Sequence, residues 1–177
     1  MDQKLSVHYA RLRHIRESFA EANERLVARL RGATDEDAQR PPEAGGWTVA
    51  QIGCHVAKVS TTFAALISGE RQGARPLPAD FKEHDWAAIV QRLPDRIEAA
   101  AAFHPPPGVT RHDAIVDLEA SGIRIGRALD RVTPERGAGY GISNPIVGEI
   151  NVYQIGEWAT AHVIRHNRQA NRILEGV

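Results

Sequence analysis

His162 and His166 stand four residues apart in the stretch Trp158-Ala-Thr-Ala-His-Val-Ile-Arg-His-Asn-Arg-Gln169. On an α-helix that spacing is about 40° around the axis and about 6 Å along it. Both imidazoles then leave one face and can reach one ion. Ile155, Ala159, Gln169 and Ile173 recur on the same face at steps of three and four, the stripe expected to point into a bundle. Imidazoles buried there need partners, because an unpaired polar group costs free energy away from water. A shared metal is one solution, and it calls for a third ligand from elsewhere in the chain. Val163 occupies the position after the first histidine, where a helical zinc-protease motif carries its glutamate base. Peptide hydrolysis by that route is therefore disfavoured.

The segments that must position these rings read as helices. Leu5 to Arg31 carries a stripe of Leu5, His8, Leu12, Ile15, Phe19, Ala22, Leu26 and Leu30, with Gly32 as a stop. Residues Ala33 to Gly46 hold two prolines and two glycines and read as a connection too broken for a helix. Thr48-Val-Ala-Gln51 fits a capping box and opens a second helix with His55 in its buried stripe, ended by Gly69. Trp86 to Phe103 has helical spacing interrupted by Pro94 and reads as an accessory helix. Thr110 to Val132 and Val147 to Leu174 complete the set, separated by a loop from Thr133 to Pro145. No period of two stands out, so the expectation is an all-α helical bundle in a single domain, residues 1–177.

The eight histidines can be sorted by position. With the first two long helices packed antiparallel, His55 lies about 10 Å into its helix and faces the region of Asn23 to Leu26. His8 would then be about 20–25 Å away, so neither it nor His14 joins His55 easily. His84, His104 and His112 sit at or near breaks and should be solvated. His55, His162 and His166 remain as the inward-facing set. Three neutral imidazoles with an open fourth position match a catalytic zinc site in ligand type and number. The same donors suit nickel, copper or ferrous iron. A bound water would be acidified, or a substrate thiol deprotonated.

Two stretches carry a family resemblance. Gly46-Trp-Thr-Val-Ala-Gln-Ile-Gly-Cys-His55 and the late Trp-x-x-x-His-x-x-x-His-x-x-Gln of residues 158–169 resemble the DinB/YfiT-like superfamily, as do helix number, order and length. The resemblance implies an up-down-down-up four-helix bundle, often dimeric, with a divalent metal on three histidines. His55 matches the first ligand, His162 the second and His166 the third. It implies a metalloenzyme, a thiol-dependent S-transferase or a hydrolase acting on a small-molecule substrate. Zinc or nickel would be the metal and a low-molecular-weight thiol the cosubstrate. The segment from Trp86 to Pro107 departs from the shortest members. The alternative is a non-catalytic binding or dimerisation module with a structural metal.

The other residues have plainer readings. Trp47 and Trp158 pack, one under a helix start and one in the core, or else wall a substrate. Cys54 points about 100° away from its neighbour His55 and is a small packed residue rather than a nucleophile. Gln169 could bond a ligand imidazole, and Asn23 could reach the open side of an ion. Arg165 and Arg168 form a solvated face within range of an anionic substrate. Basic and acidic residues balance at 22 each, which gives no general attraction to nucleic acid or membrane. One cysteine and no long apolar run fit a cytoplasmic chain without disulfide or membrane span. Val27 and Ile67 hint at a homodimer surface.

Overall fold

The structure, a computed structural model, describes residues 3–43, 45–85, 97–144 and 147–176. It is mostly helical. The long helices are α1 (Gln3–Gly32), α3 (Val49–Ser68), α4 (Arg111–Leu129) and α6 (Val152–Glu175). Short helices α2 (Asp35–Gln39) and α5 (Pro134–Gly139) and a 3-10 turn (Ala101–Phe103) lie in the connections. Strands β1 (Arg75–Pro76), β2 (Tyr140–Asn144) and β3 (Gly148–Asn151) form an antiparallel sheet in the order β1-β2-β3.

The long helices start and stop where their chemistry says they must. Thr48 and Thr110 each cap with a hydroxyl that accepts from the amide three residues on, and Gln51 and Asp113 return the bond. Asn151 and Gln154 do the same for α6. Gly69 closes α3 in the left-handed conformation, φ 83°, where a side chain would be strained. The carbonyls of Leu66 and Ile67 that α3 leaves over accept from the Arg136 guanidinium.

Side-chain pairings fix how the helices run. His8, Arg11 and Arg29 on α1 meet Tyr153, Glu157 and Asn167 on α6 in the same order, so these two are parallel. Arg16 meets Asp130, Asn23 meets Leu118 and Arg31 meets Glu119, so α1 and α4 run oppositely. α3 lies between α4 and α6, across the diagonal from α1. The core is Ile15, Phe19, Leu26, Leu30, Ile52, Leu118, Ile125 and Ile155, all buried. At Gly53 the approach of α3 and α4 is close enough that a Cβ would lie 3.0 Å from Ala114 Cβ and 3.1 Å from Leu30 Cδ1.

Several expectations change. The first two long helices are not neighbours, because α1 packs against α4 and α6 instead of α3. The region of Asn23 to Leu26 therefore does not sit beside His55 as a packed pair of helices would place it. The absence of strands was wrong: Thr133 to Pro145 contains α5 and β2 rather than loop alone, and α6 begins at Val152 because Gly148–Asn151 pairs as β3. The connection after α1 does hold a short helix, α2. Of the accessory helix expected from Trp86 to Phe103, residues 86–96 lie outside the described residues. Residues 97–100 are not helical, and 101–103 form the 3-10 turn.

Candidate metal centre

The site is built on α3 and α6. His55 lies in the second turn of α3, and His162 and His166 lie midway along α6. Each of the three offers one nitrogen, and these nitrogens all lie within 4.8 Å of one another. The His55 ring centroid is 5.2 Å from that of His162 and 4.8 Å from that of His166, and the α6 pair is 4.5 Å apart. Ligands sharing a tetrahedral ion at about 2.0–2.1 Å stand roughly 3.3 Å from each other. The observed separations, up to 4.8 Å, are looser than that spacing.

Two rings are held in the tautomer a metal needs. Phe103 O accepts from His55 Nδ1 at 3.0 Å, and Gln169 Oε1 accepts from His166 Nδ1 at 2.8 Å. A carbonyl oxygen can only accept, so each Nδ1 carries the hydrogen and each Nε2 keeps its lone pair. Gln169 reaches His166 from one turn away on the same helix, as expected from its spacing. His162 differs. Its Nδ1 is a buried nitrogen to which the described residues supply no partner. A polar atom left so costs about 1–3 kcal/mol, which fits a ring whose partner is not a protein group.

Electrostatics keep the group neutral. Burial, then the His166 and His55 rings, hold His162 well below the ordinary histidine range. Burial and the neighbouring His55 push His166 down to about 4. Burial also lowers His55, with His104 and Lys58 adding repulsion against the bond to Phe103. Neutral imidazole is the ligating form, so no proton has to leave at neutral pH before an ion binds. No carboxylate belongs to the group among the described residues.

The surroundings are aromatic. The Trp47 ring lies 4.6 Å from that of His55, and Phe63 lies 6.4 Å from His162. Trp158 is half-buried against the core. Cys54 is buried and free, and burial pushes its thiol up, as suits a packing residue. Asn23 is engaged on α4. Its amide donates to Leu118 O on α4. His8 is buried far along α6 on the Tyr153 hydroxyl at 2.6 Å. His104 and His112 are exposed as expected, whereas His84 is half-buried. Sequence reasoning did not find the Phe103 carbonyl or Lys58, whose Nζ donates to His104 O at 2.8 Å. A backbone acceptor leaves no residue signature, and Lys58 reads as an ordinary surface lysine.

A family model described as the DinB superfamily matches residues 18–170. A solved structure described as the conserved protein of a locus from Enterococcus faecalis aligns with 93% of this chain and 95% of its own, at TM-score 0.64 and 17% identity. At that identity the likeness is one of fold. No curated protein matches the sequence.

Proposed function

The chain belongs to the DinB superfamily, and from that premise we propose that it is a metal-dependent enzyme holding a divalent ion on His55, His162 and His166. The proposed reaction is transfer of a thiol, or hydrolysis, on a small organic substrate. The observation that carries this reading is the convergence of three nitrogens within 4.8 Å from two helices distant in sequence. Three imidazoles leave a tetrahedral ion one position for a substrate atom. Zinc or nickel bound there supplies Lewis acidity that makes a water or a low-molecular-weight thiol far more acidic than in bulk.

The chain's own residues do the rest. Phe103 and Gln169 orient two rings, and burial keeps all three neutral. With no carboxylate in the group among the described residues, these ligands would leave the charge of a bound ion uncancelled. Trp47 and Phe63 give an apolar flank, where fixed charges act more strongly than in water. Val163 is buried in the core at the position after His162, so α6 offers no general base there.

The parallel run of α1 and α6, the opposite run of α4 and the place of α3 between α4 and α6 support an up-down-down-up four-helix bundle as the architecture. We read the chain as a cytoplasmic homodimer with a small-molecule substrate and no nucleic-acid or membrane partner. The even balance of 22 basic and 22 acidic residues supports this, as does the lack, among the described residues, of a helix able to cross a membrane. Elemental analysis of untagged protein purified without chelator tests the site. About one ion per chain is expected, lost when the three histidines are changed to alanine. Full metal content in the triple variant refutes the site, and a closed shell of four protein ligands in the loaded protein favours a structural ion.

A further inference from the structure

His55 differs from His166 in where its second nitrogen is held. Gln169 is one turn away on the same helix, but Phe103 is 48 residues from His55 and belongs to the connection between α3 and α4. Its described residues beside the site have little apolar hold on the bundle. None of residues 97–108 is buried. Polar and ring contacts around His55 fasten it instead. Lys58 Nζ, one turn beyond His55 on α3, donates to His104 O at 2.8 Å. The His104 ring stands edge-on to Trp47 at 5.7 Å, and Trp47 in turn packs on His55 at 4.6 Å. His104 Nε2 bonds Ala99 O at 2.9 Å and so ties the turn to itself.

From this convergence we propose that the Ala101–Phe103 turn is the positioning element of His55 and that Lys58 is its clasp. The Phe103 carbonyl selects the Nδ1–H tautomer and the ring angle of His55, and Lys58 holds the carbonyl in place through the next residue. Lys58 is thus a positioning residue that acts on the site without touching the ion or the substrate. The affinity part of this inference rests on the proposed metal site. The tautomer part does not.

The experiment compares wild type, Lys58→Met and Lys58→Arg. Nitrogen-15 NMR of the imidazoles in chelator-treated protein reads the tautomer of His55, and zinc titration by competition with a chelator reads affinity. Wild type should show a single Nδ1–H form at His55. Lys58→Met should give a mixture of tautomers and bind zinc about 2–10-fold more weakly, in proportion to the share of His55 left in the competent form. Lys58→Arg should restore both, and His166 should keep its tautomer throughout. His104→Ala, which frees the turn from Trp47, should reproduce the Lys58→Met pattern and serves if that variant folds poorly. Unchanged His55 nitrogen shifts together with wild-type zinc affinity in both loosened variants would overturn the proposal. A wild type that takes no zinc but whose His55 tautomer still responds to Lys58→Met would remove the metal function and keep the clasp.

Discussion

The metal-free protein should lose stability on mild acidification, in an amount set by three buried imidazoles. A histidine in the unfolded chain titrates near 6.5, whereas His166 is pushed down to about 4 in the fold. Its folded value is the lower one, so the unfolded state binds more protons in between. The stabilisation is complete above about pH 6.5 and drains as pH falls toward 4. For His166 alone the linkage amounts to about 2 kcal/mol at pH 5 and approaches about 3 kcal/mol lower down. His55 and His162 shift in the same direction and add to it. Carboxylates with lowered values, such as Glu83 and Asp113, lose their contribution only below their own ordinary range of about 4. The interval from pH 7 to pH 5 therefore belongs mainly to histidines. Urea unfolding of chelator-treated protein across that interval is the assay, with His166→Leu as the control that removes one ring. Wild type should lose about 2 kcal/mol more than the control over the interval, roughly an eighth to two-fifths of a typical domain's stability. A flat wild-type profile, or the same slope in His166→Leu, would refute the claim that these rings are buried and neutral. Saturating zinc should shift the whole curve upward, because an ion that binds only the folded form adds stability by mass action.

Two further changes separate the site from the scaffold. Gln169→Leu strips the acceptor from His166 Nδ1 and should weaken zinc binding by about 10–100-fold, while Gln169→Glu, which keeps an acceptor oxygen, should bind near wild type in the same chelator-competition titration. Arg136→Met uncovers the carbonyls of Leu66 and Ile67 at the end of α3 and should cost about 1.5–3 kcal/mol in urea unfolding, with zinc affinity unchanged because that end lies three turns from His55.

What could be read without coordinates was whatever depends on near neighbours in the chain. His162, His166 and Gln169 lie at i, i+4 and i+7 on one helix, and periodicity alone places them on one face. Thr48 with Gln51 announces the start of α3 in the same local way. The misses have equally local causes. β2 reads Tyr-Gly-Ile-Ser-Asn, in which glycine, serine and asparagine are poor strand formers and five residues are too few for an alternation to show. α2 is only five residues long and has no period, yet Thr34 followed by Asp35, Glu36 and Asp37 is a readable helix start. Asn151 with Gln154 was a capping pair of the same kind and would have moved the start of α6 from Val147 to its true place. The third histidine was different in nature. Its stripe position marked His55 as inward, but only resemblance and elimination joined it to the later pair. The reasoning that put α1 beside α3 set His55 in the wrong company.

The register between α3 and α6 is what turns three inward histidines into one site. His55 lies 5.2 Å and 4.8 Å from the two rings on α6, level with the gap between them, while Phe63 lies 6.4 Å from His162 alone. Sliding α3 by one turn, about 5.4 Å, would set Val59 or Gln51 opposite the pair and leave no third ligand. Nothing in the imidazoles themselves prevents that slide, because three rings of one sign, or neutral, do not attract one another. The hold comes from the opposite face of α3. There Gly53 admits Ala114, Leu118 and Leu30 so closely that an added Cβ would have 3.0 Å, 3.4 Å and 3.1 Å to them. Packing at that distance tolerates no partial displacement, since dense interiors resist both gaps and overlap. This close approach thus sits two residues before His55 and on another side of the helix. A glycine that reads in the sequence as a weakness in a helix is the feature that fixes where the candidate ligand stands.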